Sequence, residues 1–176
     1  MNKFDISKLE ESVREVPDFP KPGIKFKDIT PILINPKLLS MSVEALASHV
    51  DSSSIDKIIG IDARGFIFGS LLANLLGKGF IPVRKEGKLP WQTESQAYDL
   101  EYGKSVIEIH KDSIDPGERI LIVDDLLATG GTAEAAVKLV EKLGGTVDSL
   151  IFFIELEFLK GRELLKNTKV KSVIKY

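Results

Sequence analysis

The sequence of 176 residues has no cysteine. This removes disulfides, thiolate-held zinc and thiol nucleophiles from consideration. It has only two histidines, His49 and His110, and neither sits in a metal-ligand spacing. An excess of charge of one sign is also missing: Lys and Arg number 24 against 26 Asp and Glu, a formal net charge of −2. A general nucleic-acid binder is normally clearly basic, so that class is not expected. Long apolar runs are absent. The longest, around residues 150–156, already contains Glu155, and a membrane-spanning helix needs ~20 apolar residues. The opening Met1-Asn2-Lys3-Phe4-Asp5 carries no apolar signal core. The expectation is a cytoplasmic protein with no membrane or nucleic-acid partner.

What is present fits one folded domain over residues 1–176, since domains commonly span roughly 100–200 residues. The hydrophobic share of 43% and charged share of 28% are ordinary for a globular chain. Ile6, Leu9 and Val13 recur at helical spacing over 5–15. The proline-rich stretch 17–23 then forbids regular structure. A helix is expected over 36–50, with Asn35 as N-cap, Pro36 at the first helical position and His49 in the last turn. Apolar runs predict strands at 57–61, 80–83, 119–123, 146–154 and 170–174, and alternation predicts another at 105–110. Helices are expected at 66–76, stopped by Gly77, and at 132–143, with a short helical piece at 161–166. Residues 85–101 are polar, without a period, and long for a plain connection, so they read as a functional loop. Strands alternating with helices specify an α/β fold, a mainly parallel twisted sheet flanked by helices. Ligands in such sheets sit beyond the carboxyl ends of the strands, which here are Asp62, Arg84 and Asp124-Asp125.

The most informative run is Ile122-Val123-Asp124-Asp125-Leu126-Leu127-Ala128-Thr129-Gly130-Gly131-Thr132. An apolar strand delivers two carboxylates to its end, then a turn rich in Gly and Thr leads into a helix. Unpaired amides at a helix start make an anion site, and glycines let main chain wrap a phosphate closely. Carboxylates would repel that phosphate, but they are acceptors only, so ribose hydroxyls are their natural partner. A phosphate beside a vicinal diol describes a ribose 5-phosphate. The competing reading is an ordinary strand-to-helix turn with an Asp cap. Other phosphate motifs fail: a Walker loop ending at Gly103-Lys104-Ser105 would need glycine where Tyr98 stands. No Gly-x-Gly-x-x-Gly follows a strand.

The run from Val123 to Thr132 resembles the phosphoribosyl pyrophosphate (PRPP) motif of the type I phosphoribosyltransferases, in the form carried by their adenine branch. The resemblance continues through Pro17-Asp18-Phe19-Pro20, Phe26-Lys27-Asp28-Ile29-Thr30-Pro31, Asp62-Ala63-Arg64-Gly65-Phe66, Arg84-Lys85, Gly87-Lys88-Leu89-Pro90 and Tyr98-Asp99-Leu100-Glu101-Tyr102-Gly103-Lys104. It implies transfer of the 5-phosphoribosyl group from PRPP to adenine, giving AMP and pyrophosphate. Two alternatives stand beside it: the same transfer to a 6-oxo purine, and a PRPP-sensing regulator without catalysis.

By this resemblance Ala128, Thr129, Gly130, Gly131 and Thr132 bind the 5′-phosphate, and Asp124 and Asp125 the ribose hydroxyls. Asp62, Ala63 and Arg64 form a pyrophosphate loop, often with a non-proline cis peptide, aided by a basic cluster of Arg84, Lys85 and Lys88. A surface ion pair is the competing reading for Arg64, and a solvated face for Lys88. Glu101 matches the catalytic glutamate. Ile24, Lys25 and Phe26 match the adenine pocket, closed on its other face by Leu159. The Pro/Gly-rich segment at 24–26 is not expected to pair its main chain fully, leaving donors and acceptors to read the base, and core packing is the other reading of Phe26. Lys27 stands where many relatives carry arginine. The resemblance also implies Mg²⁺ held mainly by substrate with no protein metal cage, a homodimer, a small hood from about residues 1–35 plus the C-terminal segment, and a mobile lid over about 85–101.

Overall fold

The structure, a computed structural model, describes residues 3–99 and 104–176. The chain divides after Ser48 into two compact units.

The first unit holds α1 (Lys3–Glu11), β1 (Arg14–Pro17), β2 (Lys25–Asp28), α2 (Thr30–Leu33) and α3 (Pro36–Ala47). The helix expected over 5–15 stops at Glu11. Arg14 to Pro17 instead pair antiparallel with β2, with Val16 opposite Phe26 and Arg14 opposite Asp28. Cross-strand charges favour this pairing over helical spacing: Lys27 Nζ lies 2.9 Å and Lys25 Nζ 3.1 Å from the Glu15 carboxylate. Hydrogen bonds from Lys27 and Lys25 hold the Glu15 carboxyl below its usual range. The main chain at 24–26 is more regularly paired than the proline- and glycine-rich sequence suggests, with one edge of β2 outside the two-stranded ladder. Lys25 and Phe26 are in the ladder, the Ile24 N–H donates to the Lys21 carbonyl, and the Ile24 carbonyl accepts from Phe19 N–H. Asn35 caps α3 as expected, its Oδ1 accepting from Lys37 N–H (3.0 Å) and Leu38 N–H (3.3 Å). The helix ends at Ala47, so His49 lies beyond its last turn.

The second unit is built on β3 (Lys57–Ile61), α4 (Gly65–Leu76), β4 (Gly79–Lys85), β5 (Thr93–Asp99), β6 (Lys104–His110), β7 (Arg119–Leu127), α5 (Gly131–Lys142), β8 (Thr146–Glu155) and β9 (Lys169–Lys175). Two 3₁₀ turns, Glu157–Leu159 and Gly161–Leu165, join β8 to β9. Among the described residues these strands form one sheet in the order β5-β6-β4-β3-β7-β8-β9. The run from β4 to β9 is parallel, and β5 and β6 add an antiparallel edge. Alternation along the strands gives the sheet two apolar faces. Ile59, Ile61, Ile120, Ile122, Leu150 and Phe152 pack with Ala136, Leu139 and Val140 of α5. On α4, Phe68 stacks on Phe153 of β8 at 5.1 Å. Among the described residues no helix is long and apolar enough to cross a membrane.

Within the irregular loop expected over 85–101, the described residues 93–99 form a strand. β5 pairs with β6 along its whole length, from Thr93 opposite His110 to Asp99 opposite Lys104. Its sequence, Thr-Glu-Ser-Gln-Ala-Tyr-Asp, is polar on both faces, so the two-residue period leaves no hydropathy signal. Among the described residues of this span, 86–92 lie outside strands. There Gly87 N–H donates to Glu108 Oε2 at 2.9 Å and the Gln92 carbonyl accepts from Lys111 N–H.

Candidate functional site

The strand order itself selects one end of the sheet. From β3 the chain passes through α4 to β4 on one side. From β7, the neighbour of β3 on its other side, it passes through α5 to β8. Connections diverging from adjacent parallel strands leave a crevice beyond their carboxyl ends. Residues 62–64 and 124–127 stand at that crevice.

β7 does not end at the acids, as the sequence reading expected; it continues through Asp124 and Asp125 to Leu127. Continued pairing with β8 explains this, Asp124 opposite Phe152 and Leu127 opposite Glu155. The turn proper is therefore Ala128-Thr129-Gly130. Strand alternation alone would turn neighbouring side chains to opposite faces, but both acids line the same cavity at this end of the strand. The Asp125 side chain is only 9% exposed and accepts a hydrogen bond from Arg64 Nε. Arg64 is thus in an ion pair, with another of the expected site residues as its partner. Asp124 Oδ1 accepts from Asp125 N–H at 2.8 Å. Part of Asp124 stays exposed, but its carboxyl is desolvated and beside the charge of Asp125, and both push its pKa well above the ordinary value. The approach of α4 to this strand requires Gly65: a Cβ there would lie 2.8 Å from Asp124 Oδ1 and 2.9 Å from the Val123 carbonyl oxygen.

A cavity of about 320 Å³ opens at this point. It brings together Asp62, Ala63, Arg64, Lys85, Asp124, Asp125 and Thr132 of the expected set. The Asp62–Ala63 peptide is cis. Ile61, Tyr98, Ile107 and Leu126 also line the cavity and were not expected there. For Tyr98 and Ile107 the signal is the register of β5 and β6, which polar sequence concealed; Ile61 and Leu126, on β3 and β7, reach the cavity as neighbours of the expected Asp62 and Asp125. Arg84 turns to Asp62 instead (Nε to Oδ2, 3.3 Å), and its Nη1 donates to the Lys88 carbonyl at 2.9 Å.

A second, smaller hollow of about 80 Å³ adjoins it, lined by Ala128, Thr129, Gly130, Gly131 and Thr132 with Asp124, Leu127 and Phe152. Gly130, at φ 88°, starts α5 in a left-handed conformation that suits glycine. Among the described residues no side chain caps this helix, which leaves the amides of its first turn without a side-chain acceptor. Two carboxyl side chains thus stand beside a small hollow at a helix start.

The remaining expected residues stand elsewhere. Leu159 closes the first 3₁₀ turn and lines neither cavity. Ile24, Lys25 and Phe26 belong to the first unit, where Phe26 meets Phe19 edge-on at 5.2 Å. Lys27 there is paired with Glu15. Glu101 lies outside the described residues. His110 sits in β6 opposite Thr93, its Nε2 buried without a hydrogen-bond partner.

Comparison with known proteins agrees with this geometry. The family model described as phosphoribosyl transferase domain matches residues 29–175. An adenine phosphoribosyltransferase of Caldanaerobacter subterraneus is 54% identical over 168 residues, 96% of this chain and 97% of the relative. The crystal structure of adenine phosphoribosyltransferase from Thermoanaerobacter pseudethanolicus superposes with a TM-score of 0.95 at 54% identity, covering 97% of this chain and 99% of that one. The Saccharomyces cerevisiae enzyme, crystallised with D-2,5-dideoxy-2,5-imino-altritol 1,6-bisphosphate and adenine, gives 0.93 at 41% identity, covering 98% and 99%. The chain belongs to the phosphoribosyl transferase domain family, in its adenine phosphoribosyltransferase branch.

Proposed function

We propose that this protein transfers the 5-phosphoribosyl group from PRPP to adenine, giving AMP and pyrophosphate, and so serves purine salvage. The observation that carries the reading is the pairing of Asp124 and Asp125 with the uncapped glycine–threonine turn at the carboxyl end of β7. The carboxylates accept from the ribose hydroxyls, and the amides and hydroxyls of residues 128–132 hold the 5′-phosphate. Asp62, Ala63, Arg64 and Lys85, on the wall of the larger cavity, face the pyrophosphate. Arg84, which reaches the cavity wall through Asp62, and Lys88 are assigned to the same anion. Cations aimed at charge developing on the leaving group lower the barrier. The yeast relative, complexed with an imino-sugar bisphosphate and adenine, supports both halves of the substrate assignment.

Adenine is assigned to Ile24, Lys25, Phe26 and Leu159, on a hood drawn from residues 1–35 and the C-terminal segment of a single domain. With its main chain paired, the 24–26 segment would contribute through side chains and the strand's outer edge. Glu101 is assigned to the imidazole edge of the base, where a carboxyl manages the proton as the ring nitrogen attacks. The lid over 85–101, now the connection 86–92 with the β5 hairpin, closes to keep water from a cationic ribosyl centre.

Mg²⁺ is assigned to the substrate, since a magnesium ion takes most of its ligands from substrate phosphates and water; among the described residues no cluster of three or more acidic or histidine side chains is placed to hold a metal ion. When bound it neutralises charge on the pyrophosphate. The reading includes a homodimer in the cytoplasm, with no nucleic-acid or membrane partner. Incubation with adenine, PRPP and Mg²⁺ is expected to yield AMP and pyrophosphate, with kcat/KM for adenine well above that for hypoxanthine. No AMP, or preference for hypoxanthine, would contradict it.

A further inference from the structure

The turn expected to hold the 5′-phosphate is built against a segment that arrives much later in the chain. A Cβ at Gly161 would lie 2.3 Å from the Ala128 carbonyl oxygen, and one at Gly130 would lie 2.4 Å from the Gly161 carbonyl oxygen. The two main chains therefore touch with no side chain between them. The Leu156 N–H also donates to the Leu127 carbonyl at 2.9 Å, fastening the start of the later segment to the last residue of β7. Between these contacts the chain turns through Lys160, which has φ 54°. A non-glycine residue in that region must be held there by its surroundings.

The hold is visible one residue further on. Arg162 makes a two-pronged ion pair with Glu155, Nε to Oε1 and Nη2 to Oε2, the latter at 2.7 Å. Glu155 is the last residue of β8, and its side chain is 4% exposed. Arg162 Nη1 donates to the Val170 carbonyl at 2.7 Å and Nη2 to Ser172 Oγ at 3.0 Å, both on β9. Ser172 Oγ in turn donates to Glu155 Oε2. A guanidinium fixed at four points to two sheet strands leaves the adjacent Gly161 little freedom.

We propose that Arg162 is a positioning residue for the 5′-phosphate pocket: it clamps Gly161 against residues 128–130 and so sets where the phosphate-binding amides point. The proposal rests on the reading of that turn as the phosphate site. The planar fork cannot be reproduced by lysine, and a supporting contact that slips shifts the groups it supports.

The test measures binding of ribose 5-phosphate and, separately, of pyrophosphate by titration calorimetry, using the full chain, R162K, G161A and T132V. Gly161→Ala leaves the ion pair intact and pushes directly on the Ala128 carbonyl, so it acts even where R162K folds poorly. Ribose 5-phosphate affinity is expected to fall about ten- to a hundredfold in R162K and in G161A, with pyrophosphate affinity within about twofold of the parent. PRPP KM should rise more than kcat falls. Unchanged ribose 5-phosphate binding in G161A, or parallel loss of both ligands in both variants, overturns the proposal. Unchanged ribose 5-phosphate binding in T132V overturns the phosphate reading itself. Weakened binding in T132V with parental binding in G161A overturns only the role of Arg162.

Discussion

The two ends of β7 each carry an arginine–aspartate pair, and the pairs are built to different purposes. At the amino end Arg119 Nη2 meets Asp56 Oδ1 at 2.8 Å, and its Nε and main-chain N–H meet Oδ2 at 3.1 and 2.8 Å. The Asp56 N–H returns a bond to the Arg119 carbonyl at 2.8 Å. The account is closed there: hydrogen bonds from Arg119 hold the Asp56 carboxyl at about 2. At the carboxyl end Arg64 meets Asp125, but Asp124 stands next to it and its carboxyl is driven upward by burial and by that neighbour. In one pair the acid is held below its ordinary range; the other has a second acid beside it whose desolvated carboxyl is held above its ordinary range. Groups held away from their ordinary titration range in a cleft mark function more often than stability.

This contrast can be broken in graded steps. The largest effect is expected from Glu101→Ala, which extends the reactive end to the proposed proton-handling acid. Its kcat should fall about 10²–10⁴-fold while PRPP binding changes little; single-turnover rates and PRPP titration check this, and parental kcat would remove Glu101 from the chemistry. Next is Asp125→Asn, which keeps shape but removes charge from the pair with Arg64. It should lower kcat/KM for PRPP by about 10²–10³-fold, measured at saturating adenine.

Asp124→Asn is expected to separate activity from stability. Its folded pKa is raised, so the folded state binds the proton more tightly than the unfolded chain, and ionised Asp124 opposes folding at neutral pH. The variant should lose activity yet melt at a higher temperature near pH 7. That advantage should shrink as pH falls through the Asp124 titration and the parent protein takes up its proton. An equal or lower Tm at neutral pH would contradict the electrostatic reading.

The smallest effect belongs to the amino end. Asp56→Asn should leave kcat/KM within about twofold, because the site lies at the opposite end of the strand. The depressed Asp56 pKa stabilises the fold above the ordinary value of 3.8 and ceases to do so as pH falls through about 2. Parent and variant melting temperatures should therefore converge across that window.

The same contrast shows what the sequence made legible. Buried parallel strands are continuous apolar runs, and Lys57–Ile61 was read to the residue. The helix ending at Gly77 was read equally well, because its left-handed φ of 64° suits glycine. Elements defined by partners were hidden. Arg14–Pro17 becomes a strand only through β2, and β5 only through β6, since neither has an apolar face to show. β7 passed its expected end because the acids that look like a terminus are held by the ladder to β8. The acids, the glycine turn and the Asp62–Arg64 loop were legible as residues that belong at one end of the sheet, and they line adjoining hollows there. Their assembly, with Arg64 on Asp125 and Gly161 beneath Ala128, depends on contacts between distant segments that no local pattern encodes.

The central claim is that Asp124 and Asp125 hold the hydroxyls of a ribose whose phosphate lies in the adjoining turn. Its most direct test is titration of ribose 5-phosphate and 2,3-dideoxyribose 5-phosphate into the parent protein and the double variant Asp124→Asn/Asp125→Asn. The parent should prefer the hydroxylated sugar by about tenfold or more, the worth of a hydrogen bond to a charged group, and the double variant should lose that preference while still binding the phosphate. The same preference in both proteins would contradict the account.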